Sequence, residues 1–302
     1  MNRTLKVLVA YDGSSYANAA LSDLKKAGLG NNVHARVLTV AYPWTPPMEA
    51  LGAASDVLFS GAYALSRPQV RDDLKDAKRL AEKGAERLRK LFPEWEVSSA
   101  AVLDSPARGI LDTAEKWRAS LIVLGSKGHT ALDRFLLGSV SHKVLTHSER
   151  NVRIARPRAG RASTPRVLVA VDGSKDSDAM LKRIVARDWE KGTEFRVVVV
   201  IDYRLSLLHD FQSKSGVQGF LDLPGRILEN AASKLAALGF KVTSATREGD
   251  PRREIAKEIQ RFKADTLFVG SRGLGTAGRF LLGSVSAHLA EHAPCTVEID
   301  RR

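Results

Sequence analysis

The sequence predicts an α/β protein made of two tandem, doubly wound domains, each built on a five-stranded parallel sheet. Three observations lead to this fold class: an internal repeat, an alternation of strand and helix patterns in each repeat, and strands that are apolar along nearly their whole length. Such strands are typical of parallel sheets covered by helices on both faces. With 302 residues, the chain is long enough for two domains of ordinary size.

The internal repeat is carried by two motifs. VLVAYDGS at residues 7–14 returns as VLVAVDGS at residues 167–174, and the segment GSKGHTALDRFLLGSVS returns as GSRGLGTAGRFLLGSVS. The first motif recurs after 160 residues and the second after 145, so the first copy carries about 15 additional residues. We place them in the Pro-, Gly- and Ser-containing segment after Val40, which we interpret as an elaborated loop.

Between the copies, the segment RPRAGRASTP has the basic, proline-bracketed composition of an exposed linker. We therefore predict a first domain at residues 1–157, a linker at residues 158–165 and a second domain at residues 166–302.

Short apolar runs predict five strands in each copy. They are KVLVAY, ARVLTVAY, VSSAAVL, LIVLG and VRIAR in the first copy, and RVLVAV, FRVVVVI, KVTSAT, TLFVG and TVEI in the second. Helical patterns fill the spaces, most clearly from Asp72 to Phe92, where apolar residues recur every three to four positions. Ser105-Pro106 and Asp250-Pro251 set an N-cap residue before a proline, which predicts the start of a helix in both copies.

Composition and charge exclude several classes of protein. The only cysteine, Cys295, cannot form an internal disulfide or a cysteine-rich metal cluster, and the histidines lack the spacing of metal ligands. No apolar run approaches the roughly 18 residues that span a bilayer, so we expect a cytoplasmic protein without a membrane segment. The net charge of +13 is spread over both copies, which favours attraction to phosphates over a dedicated nucleic-acid surface.

Glycine-marked turns follow the first and the fourth predicted strands. In an open parallel sheet, ligands bind beyond the carboxyl ends of the strands, where the strand order reverses. If these two strands are neighbours, the Asp12-Gly13-Ser14 turn faces the loop that starts at Gly125, and the Asp172 turn faces the loop that starts at Gly270. Each domain would then hold one pocket.

The residue types in this pocket point to a nucleotide. The loop after the fourth strand reads G-x2-G-x9-G-S in both copies, so backbone N–H groups can approach phosphate oxygens, and the final Gly-Ser pair opens a helix whose N-terminus favours an anion. Basic side chains add positive charge: Lys127, Arg134, Arg272 and Arg279. The carboxylates of Asp12 and Asp172 suit ribose hydroxyls or a bridging Mg²⁺.

With these motifs, the chain resembles a tandem universal stress protein, and the resemblance covers both halves almost completely. It implies a Rossmann-like fold of the adenine nucleotide alpha hydrolase type and ATP as the ligand, with ADP or AMP as alternatives and Mg²⁺ alongside. The phosphate and ribose contacts that it implies are Gly125, Gly128, Gly138 and Ser139, with Gly270, Gly273, Gly283 and Ser284. It further places Asp12 and Asp172 near the nucleoside and the backbones of Val40 and Val200 at adenine. Neighbouring residues are candidates for cofactor binding without an assigned role: Gly13, Val140, Ser141, Gly173, Val285 and Ser286.

The resemblance also implies partners. Because the family commonly dimerises through its fifth strand, VRIAR and TVEID are expected to pair within one chain as a pseudo-dimer, with a homodimer and a signalling protein as further partners. The first copy ends SERNVRIAR where the second has APCTVEID, so its last strand is expected to pack differently. The loop after Val40 would cover or obstruct the first adenine pocket, so the two sites are expected to differ in occupancy.

The predicted function is ATP binding in a stress-response regulatory protein, and no catalytic residue is assigned. A formal G-x-G-x-x-G at Gly273 is rejected as a dinucleotide fingerprint because it follows the fourth strand, and no P-loop motif is present. Two alternatives stay open: a slow ATP-hydrolysing or phosphate-transferring enzyme, and a dimerisation scaffold that binds no nucleotide.

Overall fold

The computed structural model describes residues 4–42, 68–128, 137–156, 164–202, 216–273 and 282–301. Within these ranges, ten strands form one continuous sheet with helices on both faces. The predicted elaborated loop falls mainly on residues 43–67 and the predicted linker mainly on residues 157–163, and both ranges lie outside the described residues.

The first half alternates strands and helices as its sequence pattern predicts. Its elements are β1 (Leu5–Ala10), α1 (Ser15–Asp23), β2 (Val33–Ala41), α2 (Pro68–Leu91), β3 (Glu96–Leu103), α3 (Pro106–Lys116), β4 (Leu121–Gly125), α4 (Ser139–His147) and β5 (Asn151–Ala155). A single 3₁₀ turn, Leu24–Lys26, extends α1.

The second half repeats this order. Its elements are β6 (Arg166–Ala170), α5 (Lys175–Val185), β7 (Glu194–Ile201), α6 (Gly216–Ala236), β8 (Lys241–Glu248), α7 (Pro251–Phe262), β9 (Thr266–Gly270), α8 (Ser284–His292) and β10 (Thr296–Asp300). The prediction of two tandem, doubly wound α/β domains is confirmed. The offset between the copies changes from 160 residues at the end of β2 to 145 at the end of α2, which places the additional residues between these two points of the chain.

The strand order is β3-β2-β1-β4-β5-β10-β9-β6-β7-β8. Within each half all pairings are parallel, and β1 pairs with β4 as β6 pairs with β9. The strand order therefore reverses between β1 and β4 and again between β6 and β9. The connections that follow the two strands of each pair run to opposite faces of the sheet. Because β5 and β10 pair antiparallel, the carboxyl ends of the strands point in opposite directions in the two halves.

The core lies in two layers, one on each face of the sheet. On the face that carries α3, α4, α7 and α8, buried residues of both halves form one continuous cluster that includes Leu8, Ile122, Ile154, Leu267 and Val297. On the opposite face each half has its own cluster, under α1 and α2 or under α5 and α6. The apolar stripe of α2, in which Ala81, Ala85 and Leu88 are fully buried, explains why that segment is helical.

The predicted helix starts differ in how their caps are used. Asp250 lies at the N-cap of α7 and accepts the backbone N–H of Arg252 at 2.9 Å. Ser105 lies at the N-cap of α3, but its side chain makes no capping bond within the described residues. Among those residues, no helix has the length and apolar character that crossing a bilayer requires.

A buried ionic network lies at the seam between β5 and β10. The guanidinium of Arg153 donates to Asp23 at 2.7 Å and to Glu298 at 3.0 Å, and all three side chains are almost fully excluded from solvent. Arg187 also pairs with Glu298. Burial alone would lower the pKa of Arg153, but the two carboxylates more than offset it and raise that pKa. Arg153 therefore stays ionised inside the protein.

Replacing Arg153 by Met is expected to cost about 3–5 kcal/mol of unfolding free energy, because Asp23 and Glu298 would remain buried without their shared cation. The measurement is urea unfolding at neutral pH. Arg79→Met is the matched control, since Arg79 and Asp76 form an ion pair with side chains 67% and 71% exposed. Such a pair contributes about 0–1 kcal/mol. Equal losses in both variants would contradict the prediction.

Stability is also expected to fall in acid through Glu298. Burial would raise its pKa, but Arg187 and Arg153 lower it below the ordinary value of 4.5. A carboxyl whose pKa is lower in the folded state stabilises above its unfolded pKa, and that contribution is lost as the pH falls through the folded value. Unfolding free energies of Glu298→Gln should thus depend less on pH below about 4 than those of the parent chain. Parallel pH curves for the two proteins would show that Glu298 plays no such role.

Candidate functional site

In both halves, the turn after the first strand lies against the loop after the fourth. A Cβ atom built on Gly128 would lie 3.0 Å from Oδ2 of Asp12, and one built on Gly273 would lie 2.8 Å from Oδ2 of Asp172. These short distances between the two turns follow from the pairing of β1 with β4 and of β6 with β9. The facing turns that the sequence predicts are therefore present twice, and glycine permits their close approach; the junction between the two turns of each half is called the gap below.

Local hydrogen bonds fix the carboxylate at the mouth of each gap. Oδ1 of Asp12 accepts the backbone N–H of Ser14 at 2.9 Å, and Oδ1 of Asp172 accepts that of Ser174 at 2.9 Å. Gly13, between Asp12 and Ser14, has φ = +80°, a conformation that glycine adopts without strain. The turn thus holds Asp12 in one orientation while α1 begins directly after it.

The glycine loop after the fourth strand is tied to the start of the next helix. The N–H of Gly138 donates to the carbonyl of Ser126 at 2.8 Å, and the hydroxyl of Ser141 donates to the carbonyl of Gly125 at 2.8 Å. In the second half, the N–H of Gly283 and the hydroxyl of Ser286 both donate to the carbonyl of Ser271. Each helix therefore begins at the carboxyl edge of the sheet, beside its own gap.

These helix starts offer backbone donors. Gly138 and Gly283 lie at the N-cap positions of α4 and α8, and neither helix has a side-chain cap among the described residues. The first-turn N–H groups, from Ser139 to Ser141 and from Ser284 to Ser286, precede the regular helical bonding pattern. Together with the helix dipole they form a positive end that attracts anions.

The backbone at the end of the second strand is also directed toward the gap. The carbonyl of Leu38 accepts the N–H of Tyr11 at 2.8 Å, so it faces β1. Val40 lies two residues further along β2, so its backbone faces the same side as that of Leu38. The ladder between β1 and β2 ends at Ala10 and Leu38, so Val40 lies beyond its last pair. Val200 has the same position in the second half, beyond the end of β6 at Ala170.

A model of the universal stress protein family matches residues 4–156 and, a second time, residues 164–301. The chain belongs to this family. Its two matches identify it as a tandem member, with one family unit in each half.

Individual relatives agree with this assignment. A Staphylococcus aureus (strain USA300) protein assigned to the universal stress proteins is 28% identical over 137 residues, which cover 45% of this chain and 82% of the relative. A solved universal stress protein structure from Archaeoglobus fulgidus DSM 4304 is similar over 99% of both chains, with a TM-score of 0.68 and 23% identity. A functionally unknown protein from Pseudomonas aeruginosa PAO1 is similar over 98% of this chain and 92% of its own, with a TM-score of 0.61 and 16% identity. These two structures support the fold alone.

The basic residues of this universal stress protein are placed differently in the two halves. Lys127 is buried, with 6% of its surface exposed. Its counterpart Arg272 donates through Nε to Asp176 at 3.0 Å, and Asp176 stands where the first half has Tyr16. The guanidinium of Arg272 is thus held by an ion pair with α5. Arg134 and Arg279 lie outside the described residues.

Sequence reasoning missed several residues that shape the gaps. The hydroxyl of Thr39 donates to the carbonyl of Tyr11 at 2.8 Å, at the point where the ladder between β1 and β2 ends. Leu80 and Ile227 pack so close to Gly13 and Gly173 that added Cβ atoms would lie 3.0 and 2.7 Å from them. The sequence carries no local signal for such contacts, because they join helices and turns that are distant along the chain.

No group of three or more His, Cys, Asp or Glu side chains within the described ranges is arranged to hold a metal ion. Cys295 is fully buried in the continuous core cluster. Among the described residues, Asp12 lies beside the first gap, and Asp172 and Asp176 lie beside the second.

Gly13→Ala is expected to cost about 1–2 kcal/mol of unfolding free energy, because an L-residue is strained at positive φ. The added methyl group would also press on Leu80. Gly225→Ala is the matched control: Gly225 lies in α6, no atom comes within 4 Å of its added Cβ, and a gain of roughly 0.5–1 kcal/mol is expected there. Chemical denaturation measures both changes, and a neutral result at Gly13 would contradict the strain argument.

Proposed function

We propose that this chain is an adenine-nucleotide-binding regulatory protein of the stress response, with ATP as its principal ligand and one G-x2-G-x9-G-S site in each domain. One observation carries the proposal: in both halves, an uncapped helix start and a glycine loop meet a fixed carboxylate at the strand-order reversal. Membership in the universal stress protein family supports a nucleotide ligand in general terms.

The backbone fits the phosphate groups of such a ligand. Glycines at 128 and 138 place no side chain at two close approaches, since an added Cβ would lie 3.0 Å from Asp12 at the first position and 3.3 Å from the Cα of Lys127 at the second. The first-turn N–H groups of α4 would hold phosphate oxygens, and those of α8 would do so in the second site. Arg134 and Arg279 are proposed as additional phosphate contacts.

The other end of each gap fits a nucleoside. The fixed carboxylate of Asp12 would accept hydrogen bonds from ribose hydroxyls, and the backbone of Val40 would recognise the adenine edge. Asp172 and Val200 would play these roles in the second site. ADP or AMP would use the same nucleoside contacts.

A divalent cation enters this proposal only with the nucleotide. Mg²⁺ is usually held through substrate phosphates, one or two carboxylates and waters, and the carboxylates proposed for this role are Asp12 and Asp172. Mg²⁺ would neutralise phosphate charge, while Asp12 and Asp172 keep their bonds to Ser14 and Ser174.

We also propose the domain limits given by the sequence, 1–157 and 166–302 around a linker at 158–165, and an intrachain pseudo-dimer through the last strand of each domain. The antiparallel pairing of β5 with β10 supports the pseudo-dimer. In this arrangement nucleotide occupancy would alter how the chain is recognised by a signalling partner.

Calorimetry with ATP and Mg²⁺ tests the proposal. We expect up to two ATP molecules per chain at roughly micromolar affinity, which corresponds to about −8 kcal/mol. Gly138→Val and Gly283→Val should each remove one site, because the side chain would push on the loop that each helix start contacts. Their combination should remove both, whereas Gly225→Val, whose added Cβ has no neighbour within 4 Å, should leave binding unchanged.

The same proteins distinguish the alternatives. ATP turnover above about 1 s⁻¹, lost in the two site variants, would identify an enzyme of the kinase or ATPase class instead of a regulatory module. An unaltered calorimetric baseline and melting temperature with millimolar ATP would leave the dimerisation scaffold as the function.

A further inference from the structure

The seam between the two halves carries opposite charges at its centre. In the antiparallel ladder of β5 and β10, Arg153 lies directly opposite Glu298, flanked by the pair of Ile154 with Val297 and the pair of Val152 with Ile299. The repeat offset in this part of the chain is 145 residues, so Arg153 and Glu298 occupy the same position in their copies. The central pair therefore lies on the pseudo-twofold axis that relates the halves.

A residue on this axis faces its own counterpart. If two first halves from different chains paired through β5, Arg153 would face a second Arg153. If two second halves paired through β10, Glu298 would face a second Glu298. Both side chains are almost fully buried, 0% and 1% exposed, where water would not screen the repulsion. Like charges brought together at an interface cost several kcal/mol.

A second ion pair across the seam also joins residues that have no equivalent in the opposite half. Lys26 of the first half pairs with Asp265 of the second at 2.8 Å. The position that corresponds to Lys26 holds Ala186 in the second half, and the position that corresponds to Asp265 holds Ser120 in the first. Two like halves would therefore lose this ion pair and leave one partner unmatched.

The hydrogen bonds around Arg153 show the same asymmetry. Arg153 donates to the hydroxyl of Thr266, and Asp23 accepts the hydroxyl of Thr296 at 2.7 Å. In a pairing of two first halves, Leu121 would replace Thr266, and in a pairing of two second halves Arg183 would replace Asp23. Thr266 and Thr296 of the second half thus satisfy groups of the first half, in addition to the ion pairs that each half forms within itself, Arg153 with Asp23 and Arg187 with Glu298.

We propose that this charge pattern makes the seam selective: a first half pairs with a second half, and pairing of like halves from different chains is excluded. Selectivity of this kind needs repulsion against the wrong partner as well as attraction to the right one. The seam supplies the repulsion through Arg153 and Glu298 and the attraction through their mutual ion pair. This inference does not depend on nucleotide binding.

The test uses the full chain with a protease recognition sequence inserted within residues 157–163 and cleaved after folding. Cleaved protein is mixed with isotope-labelled cleaved protein, and mild urea is added so that the halves can exchange partners. Exchange is complete when labelled and unlabelled halves are distributed at random among the pairs of unlike halves. Native mass spectrometry then counts unlike and like pairs. We expect like pairs to be at least about tenfold rarer than random assortment gives, which corresponds to about 1.4 kcal/mol.

Two variants separate charge selectivity from general loss of stability. Glu298→Gln should raise like pairs by about tenfold, because it removes both the repulsion between second halves and the ion pair between unlike halves. The two kinds of like pair rise together, since each cleaved chain supplies one half of each kind. Arg153→Gln should give a similar rise, through the repulsion between first halves. Glu258→Gln is the matched control, since Glu258 is another fully buried glutamate with arginine partners, but it lies inside the second half, on α7.

Random assortment of the parent halves would overturn the proposal, as would separation into single halves on cleavage. An unchanged count of like pairs in Glu298→Gln and Arg153→Gln, or the same rise in Glu258→Gln, would show that the charges at the seam do not choose the partner.

Discussion

The pairing of β1 with β4, and of β6 with β9, is the constraint on which the rest of the molecule depends. These strands are neighbours in the sheet but far apart in sequence, and the connections that leave them run to opposite faces. The gap lies between these two connections, at the carboxyl ends of the paired strands. Asp12, the glycine loop and the start of α4 all face that gap because each follows, or lies beside, one of the strand ends.

The seam has a different role from the gaps. Its buried charges depend on one another, since removal of Arg153 takes away the ion-pair partner of Asp23 and leaves Glu298 with Arg187. The continuous core cluster beneath α3, α4, α7 and α8 adds apolar contacts across the same line. Apolar burial is not directional, so the partner choice that we infer has to come from the charges.

The sequence predicts the fold closely because hydrophobic periodicity and the repeat both reflect local rules, and strand and helix order follow from them. It also predicts which turns face each other, since the reversal of strand order is a general property of doubly wound sheets. It does not predict that Arg272 pairs with Asp176 or that Leu80 packs on Gly13, which depend on how helices seat on the sheet. The seam network left a trace that the repeat comparison could have found: Asp23 against Arg183, and Arg153 against Glu298, are reversals of charge at matched positions.

The antiparallel pairing of β5 with β10 has a geometric consequence for recognition. Because the strand directions reverse at that line, the two gaps open on opposite edges of the sheet, back to back. Two proteins that each docked over one gap would approach from opposite sides and would not compete for space. The two gaps of a single chain are therefore separated by the sheet itself and are joined only through its shared interior.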